Sequence, residues 1–199
     1  MLFYCLEMFF YSFLNEFIWV LFCQQLFNQV LWEEDFVAAF TRSSDGGAAF
    51  SAVRMISDPA GFSGGMDITI GGTGTIHIVY EQDWEIYSVR SADGGAGFST
   101  AQNLSNTILV NNASGFSATP AVAVDGSGRI NVVWEEDFRI VFRRSLTGGA
   151  DFSAVQDLSI PSAVSTLPAL AVDGSGAIHA VWQDDDLAGN TEIFFVKGE

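Results

Sequence analysis

Short apolar stretches separated by Gly- and Asp-rich turns run through the chain from about residue 30 onward. Pro120–Val124 is one such stretch and closes at the turn Asp125–Gly128. Arg129–Trp134, rich in Ile, Val and Trp, leads into the acidic turn Glu135–Asp137. Arg139–Arg144 alternates Ile140 and Phe142 with charged positions, Leu146–Ala150 is a Gly turn, and Phe152–Leu158 is a further stretch. Period-two alternation with β-branched and aromatic enrichment predicts strands, labelled A to D within each unit.

The pattern repeats. Leu31-Trp32-Glu33-Glu34-Asp35, Val79-Tyr80-Glu81-Gln82-Asp83, Val133-Trp134-Glu135-Glu136-Asp137 and Val181-Trp182-Gln183-Asp184-Asp185 place their aromatic residues 48, 54 and 48 positions apart. A second marker begins at Ser43, Ser91 and Ser145 and ends on Phe50, Phe98 and Phe152. A third is Ala123-Val124-Asp125-Gly126-Ser127-Gly128, repeated at Ala171–Gly176 and, more loosely, at Thr69–Gly74. Four short strands recurring at this period are the pattern of propeller blades. The predicted fold is therefore all-β, with four-stranded antiparallel blades at 66–105 and 118–159 and partial blades at 30–58 and 166–199. Propellers typically close with about 4–8 blades. An open arc or a fragment is expected, with unpaired edges available for self-association.

Composition divides the chain. Residues 1–31 hold 7 of the 18 Phe and both cysteines, Cys5 and Cys23, and contain no Gly, Ala, Lys or Arg. Segment 1–29 is expected to be helical or to lie outside the repeat domain, 30–199. Three readings stay open for it: an anchor or leader, an apolar helix packed on the domain, or sequence foreign to the fold. Its longest apolar run, Phe17–Cys23, is well short of the ~18–20 residues a spanning helix needs. Any membrane contact would have to come through this segment. The net charge is −16 with a single lysine, Lys197. Nucleic acid is excluded as a partner, because phosphate affinity needs clustered Lys and Arg.

The octapeptides Ser43–Phe50, Ser91–Phe98 and Ser145–Phe152 join strands C and D. Ser and Asp side chains bind turn amides, Gly supplies positive φ, and the Phe is expected to pack the turn onto its sheet. Ser43, Asp45, Gly47 and Phe50, with Ser91, Asp93, Gly95 and Phe98, resemble the Asp-box of the sialidase (neuraminidase) superfamily. Ser145, Gly149 and Phe152 form a third copy with Thr147 at the Asp position. The resemblance covers residues 30–199 and implies a sialidase-like propeller, extracellular or on the cell surface. It also implies that the boxes lie opposite a binding face lined by the B–C and D–A loops. That family uses three convergent arginines and a Tyr nucleophile paired with Glu. Here Arg42, Arg90 and Arg144 each precede a box serine and are radially separated, and Tyr80 takes the position of Trp32, Trp134 and Trp182. No catalytic residue is assigned.

The acidic turns supply the candidate binding face: Glu33, Asp35, Glu81, Asp83, Glu135, Asp137, Asp184 and Asp186. Clustered carboxylates would repel, and Ca²⁺ could relieve this through hard oxygen ligands; solvated, solubilising turns are the simpler expectation. No cofactor is otherwise implied. The Asp-Gly-Ser-Gly turns lack the Lys-Ser/Thr of a phosphate loop, and His77 and His179 are too far apart in the repeats to pair on a metal. Asn103-Leu104-Ser105 and Asn112-Ala113-Ser114 are sequons. The expected function is a non-catalytic propeller acting as a scaffold or as a recognition surface for a glycan or protein. The alternatives are part of a sialidase-like exo-glycosidase with its catalytic residues outside this chain, or a membrane-anchored surface protein.

Overall fold

The B strands are apolar on both faces: Ile76-His77-Ile78-Val79-Tyr80, Ile130-Asn131-Val132-Val133-Trp134 and Ile178-His179-Ala180-Val181-Trp182. Such strands call for a sheet packed on each side, and stacking the repeats provides this for the second and third sheets. A computed structural model describes residues 11–13, 16–18, 20–25, 27–105, 115–160, 164–185 and 190–198. After a hairpin of β1 (Tyr11–Phe13) and β2 (Glu16–Ile18), four antiparallel sheets follow in chain order. The first contains β3 (Val20–Gln25), β4 (Phe27–Glu34), β5 (Val37–Ser43) and β6 (Arg54–Met55). The second contains β7 (Ser63–Ile70), β8 (Ile76–Gln82), β9 (Glu85–Ser91) and β10 (Gln102–Asn103). The third contains β11 (Ser117–Val124), β12 (Ile130–Glu136), β13 (Arg139–Ser145) and β14 (Gln156–Asp157). The fourth is β15 (Val164–Val172), β16 (Ile178–Asp185) and β17 (Thr191–Gly198).

Two expectations need correction. Where it is described, the segment 1–29 is strand, not helix. It also supplies an A strand to the first sheet, which the repeat pattern leaves without one: β3 pairs with β4 from Val20↔Trp32 to Gln25↔Phe27. Sheet pairing is made by backbone groups and needs only strand-compatible side chains, so the Pro-Ala-Val or Pro-Ala-Leu run of β11 and β15 is dispensable. The D strands are shorter than Phe152–Leu158 suggests, with only Gln156 and Asp157 pairing. Short outer strands limit the unpaired edge offered to other chains.

Three apolar cores lie between successive sheets. Leu31, Ala38 and Phe40 meet Ile76, Ile78 and Tyr80; Val79 and Ile86 meet Ile130, Val132 and Trp134; Val133 and Ile140 meet Ala180 and Trp182. The repeated aromatic thus fills the same inter-sheet space each time, and burying such a side chain is worth on the order of 1.5–3 kcal/mol. The A strands line the inner side of the arc, with β7 packed on β11 and β11 on β15. Each of these three strands has a bulge near its start. There the strands approach so closely that a Cβ on Gly65 would lie 3.3 Å from Thr119 Cα.

Candidate functional site at the B–C rim

The sheets end in two rims of different chemistry. At one rim the octapeptides fold as turns closed by their own side chains. Ser43 Oγ donates to Asp45 Oδ1 at 2.7 Å and accepts from the Gly47 amide at 2.8 Å, while Asp45 Oδ1 accepts from the Ala49 amide at 2.9 Å. Ser91, Asp93, Gly95 and Gly97 repeat these bonds at 2.7, 2.7 and 2.9 Å. In the third copy the Thr147 hydroxyl replaces the carboxylate and accepts from the Asp151 amide at 3.0 Å, and Gly149 donates to Ser145 Oγ at 2.8 Å. Hydrogen bonds from the serine hydroxyls hold the Asp45 and Asp93 carboxyls below the usual range. The arginines before the first two turns reach the following sheet: Arg42 donates to the Gly94 carbonyl, and Arg90 to the Gly148 carbonyl at 2.8 Å. Phe98 packs edge-on against Phe40 of the preceding sheet, and Phe152 joins the second core. Phe50 departs from expectation and remains 47% exposed. These rings pack across to the preceding sheet, and the first sheet has no such neighbour among the described residues.

The opposite rim carries the acidic turns. Three of them are two-residue hairpins with both central residues at positive φ: Asp35–Phe36, Asp83–Trp84 and Asp137–Phe138. This is the type I′ geometry that matches strand twist. Asp tolerates the left-handed conformation. An aromatic residue held there in three successive repeats is an outlier of the kind that marks functional positions. The rings stand in solvent, with Trp84 62% exposed. Phe62 and Phe116, from the D–A loops, join them. Phe36 and Phe62 lie 5.3 Å apart, Trp84 and Phe116 6.4 Å, and Phe116 and Phe138 4.8 Å between centroids. Sequence reasoning passed over this aromatic strip, although its signal was present: an aromatic follows the Asp of the first three acidic turns, on the repeat spacing.

The predicted acidic residues divide into two groups. Glu33, Glu81 and Glu135 occupy one repeat position and are partly or fully buried. Burial pushes the Glu81 carboxyl up, a hydrogen bond from the Thr119 amide pulls it back, and Glu135 and Glu33 push it further. Burial likewise raises Glu33 and, against a bond from the Leu167 amide, Glu135. Burial opposes the ionisation of all three, and Glu81 also feels the charges of the other two. Asp35, Asp83 and Asp137 are exposed turn residues. Asp83 accepts from the Phe62 amide and Asp137 from the Phe116 amide, both at 3.0 Å, so they tie the D–A loops to the turns. Asp184 is buried and accepts from Ser165 Oγ at 3.4 Å. It matches Glu136 in the repeat, and the fourth equivalent of Glu81 is Gln183. Asp186 lies outside the described residues, as does the second sequon.

Neither the arginines nor the histidines converge. Arg54 donates to the Ala96 carbonyl, Arg139 to Asp157, Arg143 to the Leu104 carbonyl and Arg144 to Asn131 Oδ1, while Arg129 pairs with Asp125. Burial, reinforced by Arg90, holds His77 down at about 4; His179 bonds Asp173 at 2.9 Å. In the Asp125 turn, burial pulls the carboxyl up, but bonds from Ser127 and Arg129 prevail and hold it at about 2. The turn's own oxygens therefore fill the space a phosphate would need. Among the described residues, no group of three His, Cys, Asp or Glu is placed to hold a metal ion. Among them too, no helix is long and apolar enough to cross a membrane.

No protein-family model matches the chain, and no curated protein matches it. Solved structures do. A Penicillium chrysogenum α-L-arabinanase complexed with arabinobiose aligns at 13% identity and TM-score 0.60, over 86% of this chain and 59% of its own. A Fusarium graminearum α-L-arabinofuranosidase with arabinobiose aligns at 13% identity and TM-score 0.61, over the same shares. A Streptococcus pneumoniae sialidase aligns at 12% identity and TM-score 0.56, over 86% of this chain and 29% of its own. The chain thus spans little more than half the length of the arabinanase and the arabinofuranosidase. At such identities the likeness is one of fold: this chain is built from the blades of a sialidase-like β-propeller.

Proposed function

We propose that the chain is a non-catalytic, carbohydrate-recognising Asp-box propeller module, displayed outside the cell. The observation that carries this reading is the exposed aromatic strip Phe36–Phe62 and Trp84–Phe116–Phe138 beside the half-buried Glu33, Glu81 and Glu135. Sugars bury their C–H faces on aromatic rings and their hydroxyls on carboxylates. An exposed apolar strip edged by polar groups marks an interaction surface. No substrate-clamping arginine cluster accompanies it among the described residues, because the arginines hold turn carbonyls and local side chains. The likeness of fold to arabinobiose-bound enzymes and to a sialidase suggests the probes. Calorimetric titration of arabinobiose and sialyllactose should give saturable binding to at least one, lost in Trp84→Ala, with no hydrolysis on prolonged incubation.

A second reading is part of a glycosidase. It is favoured by the direction in which burial moves Glu81 and Glu135, since disfavoured ionisation is what a general acid requires. Turnover of a fluorogenic arabinofuranoside or sialoside, abolished in Glu81→Gln, would replace the first reading with this one.

A further inference from the structure

The eight basic residues of the chain are unevenly placed. Arg42, Arg90 and Arg144 each precede an octapeptide serine. Arg54 reaches the Ala96 carbonyl in the second octapeptide, and Arg143 the Phe152 and Ser153 carbonyls at the end of the third. Arg129 pairs with Asp125, whose turn adjoins the third octapeptide because Ile130 lies opposite Ser145. Lys197 lies opposite His179 as Arg90 lies opposite His77. Seven of the eight therefore stand at or reach the octapeptide rim. Only Arg139 belongs to the B–C rim, opposite Glu136, and its guanidinium is taken by Asp157 and Glu136.

Carboxylates accompany the aromatic strip instead. Asp35, Asp83 and Asp137 immediately precede Phe36, Trp84 and Phe138, and all six are exposed. Their φ angles lie between 49° and 65°, so the backbone sets each carboxylate and ring as a fixed pair, repeated in three successive sheets. Asp83 and Asp137 each commit one oxygen, Oδ1, to a D–A amide. Among the described residues none of the three aspartates pairs with a cation. A ligand lying on the rings therefore meets negative charge at every repeat. An anionic sugar is repelled there. A protonated amine gains twice, from the carboxylates and from the ring faces. Among the described residues no three carboxylates are grouped to hold a metal ion. The positive charge that complements this rim is accordingly spaced along a larger ligand, as the aspartates are spaced along the repeats.

We propose that the B–C rim recognises amino-sugar oligomers. Their ring faces lie on Phe36, Trp84 and Phe138, and their protonated amines sit beside Asp35, Asp83 and Asp137. This rests on the reading of the rim as a carbohydrate surface and adds the sign of the charge its ligand carries. It also excludes sialylated glycans, whose carboxylate would meet aspartates and no available cation.

The test uses the full chain and two trisaccharides that differ only in their acetyl groups and hence in charge, tri-glucosamine and tri-N-acetylglucosamine. In calorimetric titration at about pH 6, where an amine holds its proton, tri-glucosamine should bind about tenfold tighter, as two or three exposed ion pairs would give. Raising NaCl to about 0.5 M should narrow that preference. Asp83→Asn combined with Asp137→Asn should reduce it to about threefold. Asparagine keeps the oxygen that accepts the D–A amide and tolerates the left-handed backbone. Trp84→Ala should abolish binding of both sugars. The comparison of the two trisaccharides on the wild-type chain decides the matter even where a variant folds poorly. Equal affinity, binding of arabinobiose alone, or tighter binding of sialyllactose overturns the proposal and leaves the rim a carbohydrate surface. Tri-glucosamine binding that survives Trp84→Ala overturns it too, since attraction to the overall charge of −16 then explains the affinity. Trilysine bound as tightly as tri-glucosamine reassigns the face to basic peptides. If no saccharide binds, arabinobiose included, the carbohydrate reading itself falls.

Discussion

The two rims carry similar residue types in opposite states. At the octapeptide rim, Asp45 and Asp93 lie at the surface yet are fully engaged, and their carboxyls are held down by serine hydroxyls and turn amides. At the B–C rim, Glu33, Glu81 and Glu135 are more buried and their carboxyls are pushed up. Aromatic residues differ in the same way: Phe98 and Phe152 enter the inter-sheet cores, whereas Phe36, Trp84 and Phe138 stand in solvent. A rim whose polar groups satisfy one another holds the blades together. A rim whose rings are exposed and whose carboxyls resist ionisation has chemistry left for a ligand.

The largest expected effect lies within the first rim. Phe152→Ala should cost about 3 kcal/mol, the lower end for losing a core phenylalanine; Phe50→Ala, already half-exposed, should cost under about 1 kcal/mol. Urea denaturation midpoints would measure the difference, and equal costs would refute the inter-sheet role of the ring. Next in size, Ser91→Ala leaves the buried Gly95 amide without its acceptor and should cost about 1–3 kcal/mol, read from the same titration.

The pH dependence sharpens the contrast further. Asp67, on β7, accepts from the Ile68 and Val122 amides at 2.8 Å and links the second sheet to the third; burial raises it to about 6, against those two bonds. The folded state therefore binds a proton at higher pH than the unfolded chain does, whose Asp titrates at about 3.9. Stability should rise as pH falls from above 6 to about 4, and Asp67→Asn should flatten that slope. Asp45 and Asp93 act in the opposite sense. Their contribution is present above the unfolded value and is lost as pH falls further, through their lowered folded values. Melting temperatures across this range would show a maximum in the wild type; a monotonic curve would contradict the opposed assignments. The smallest effect on stability is expected from Trp84→Ala at the exposed turn, within about 0.5 kcal/mol, although under the proposed function the same change should abolish sugar binding.

Much of the fold was legible because repeats state it several times over. The Trp/Tyr positions, the Ser-x-Asp-x-Gly-x-x-Phe turns and the Asp-Gly-Ser-Gly turns predicted strand type, order and turn placement, and β7–β9 and β11–β13 fall where that pattern puts them. Thr147 shows why a departure from the motif was harmless: its hydroxyl accepts the same amide hydrogen bond. The candidate site was only half legible. Glu33, Glu81 and Glu135 could be found by repeat position, yet Asp184 belongs to a different position from Glu81, and the aromatic after each turn Asp went unread.

The sequence alone determined what is local and repeated: the alternation that makes strands, the side-chain–amide bonds that close turns, and the acidity of the B–C ends. These depend on residues a few positions apart. Tertiary structure decided what depends on the neighbouring blade. β3 joins the first sheet through backbone pairing, which leaves little mark in side-chain pattern. Phe98 is inserted and Phe50 exposed because only one has a preceding sheet of its kind.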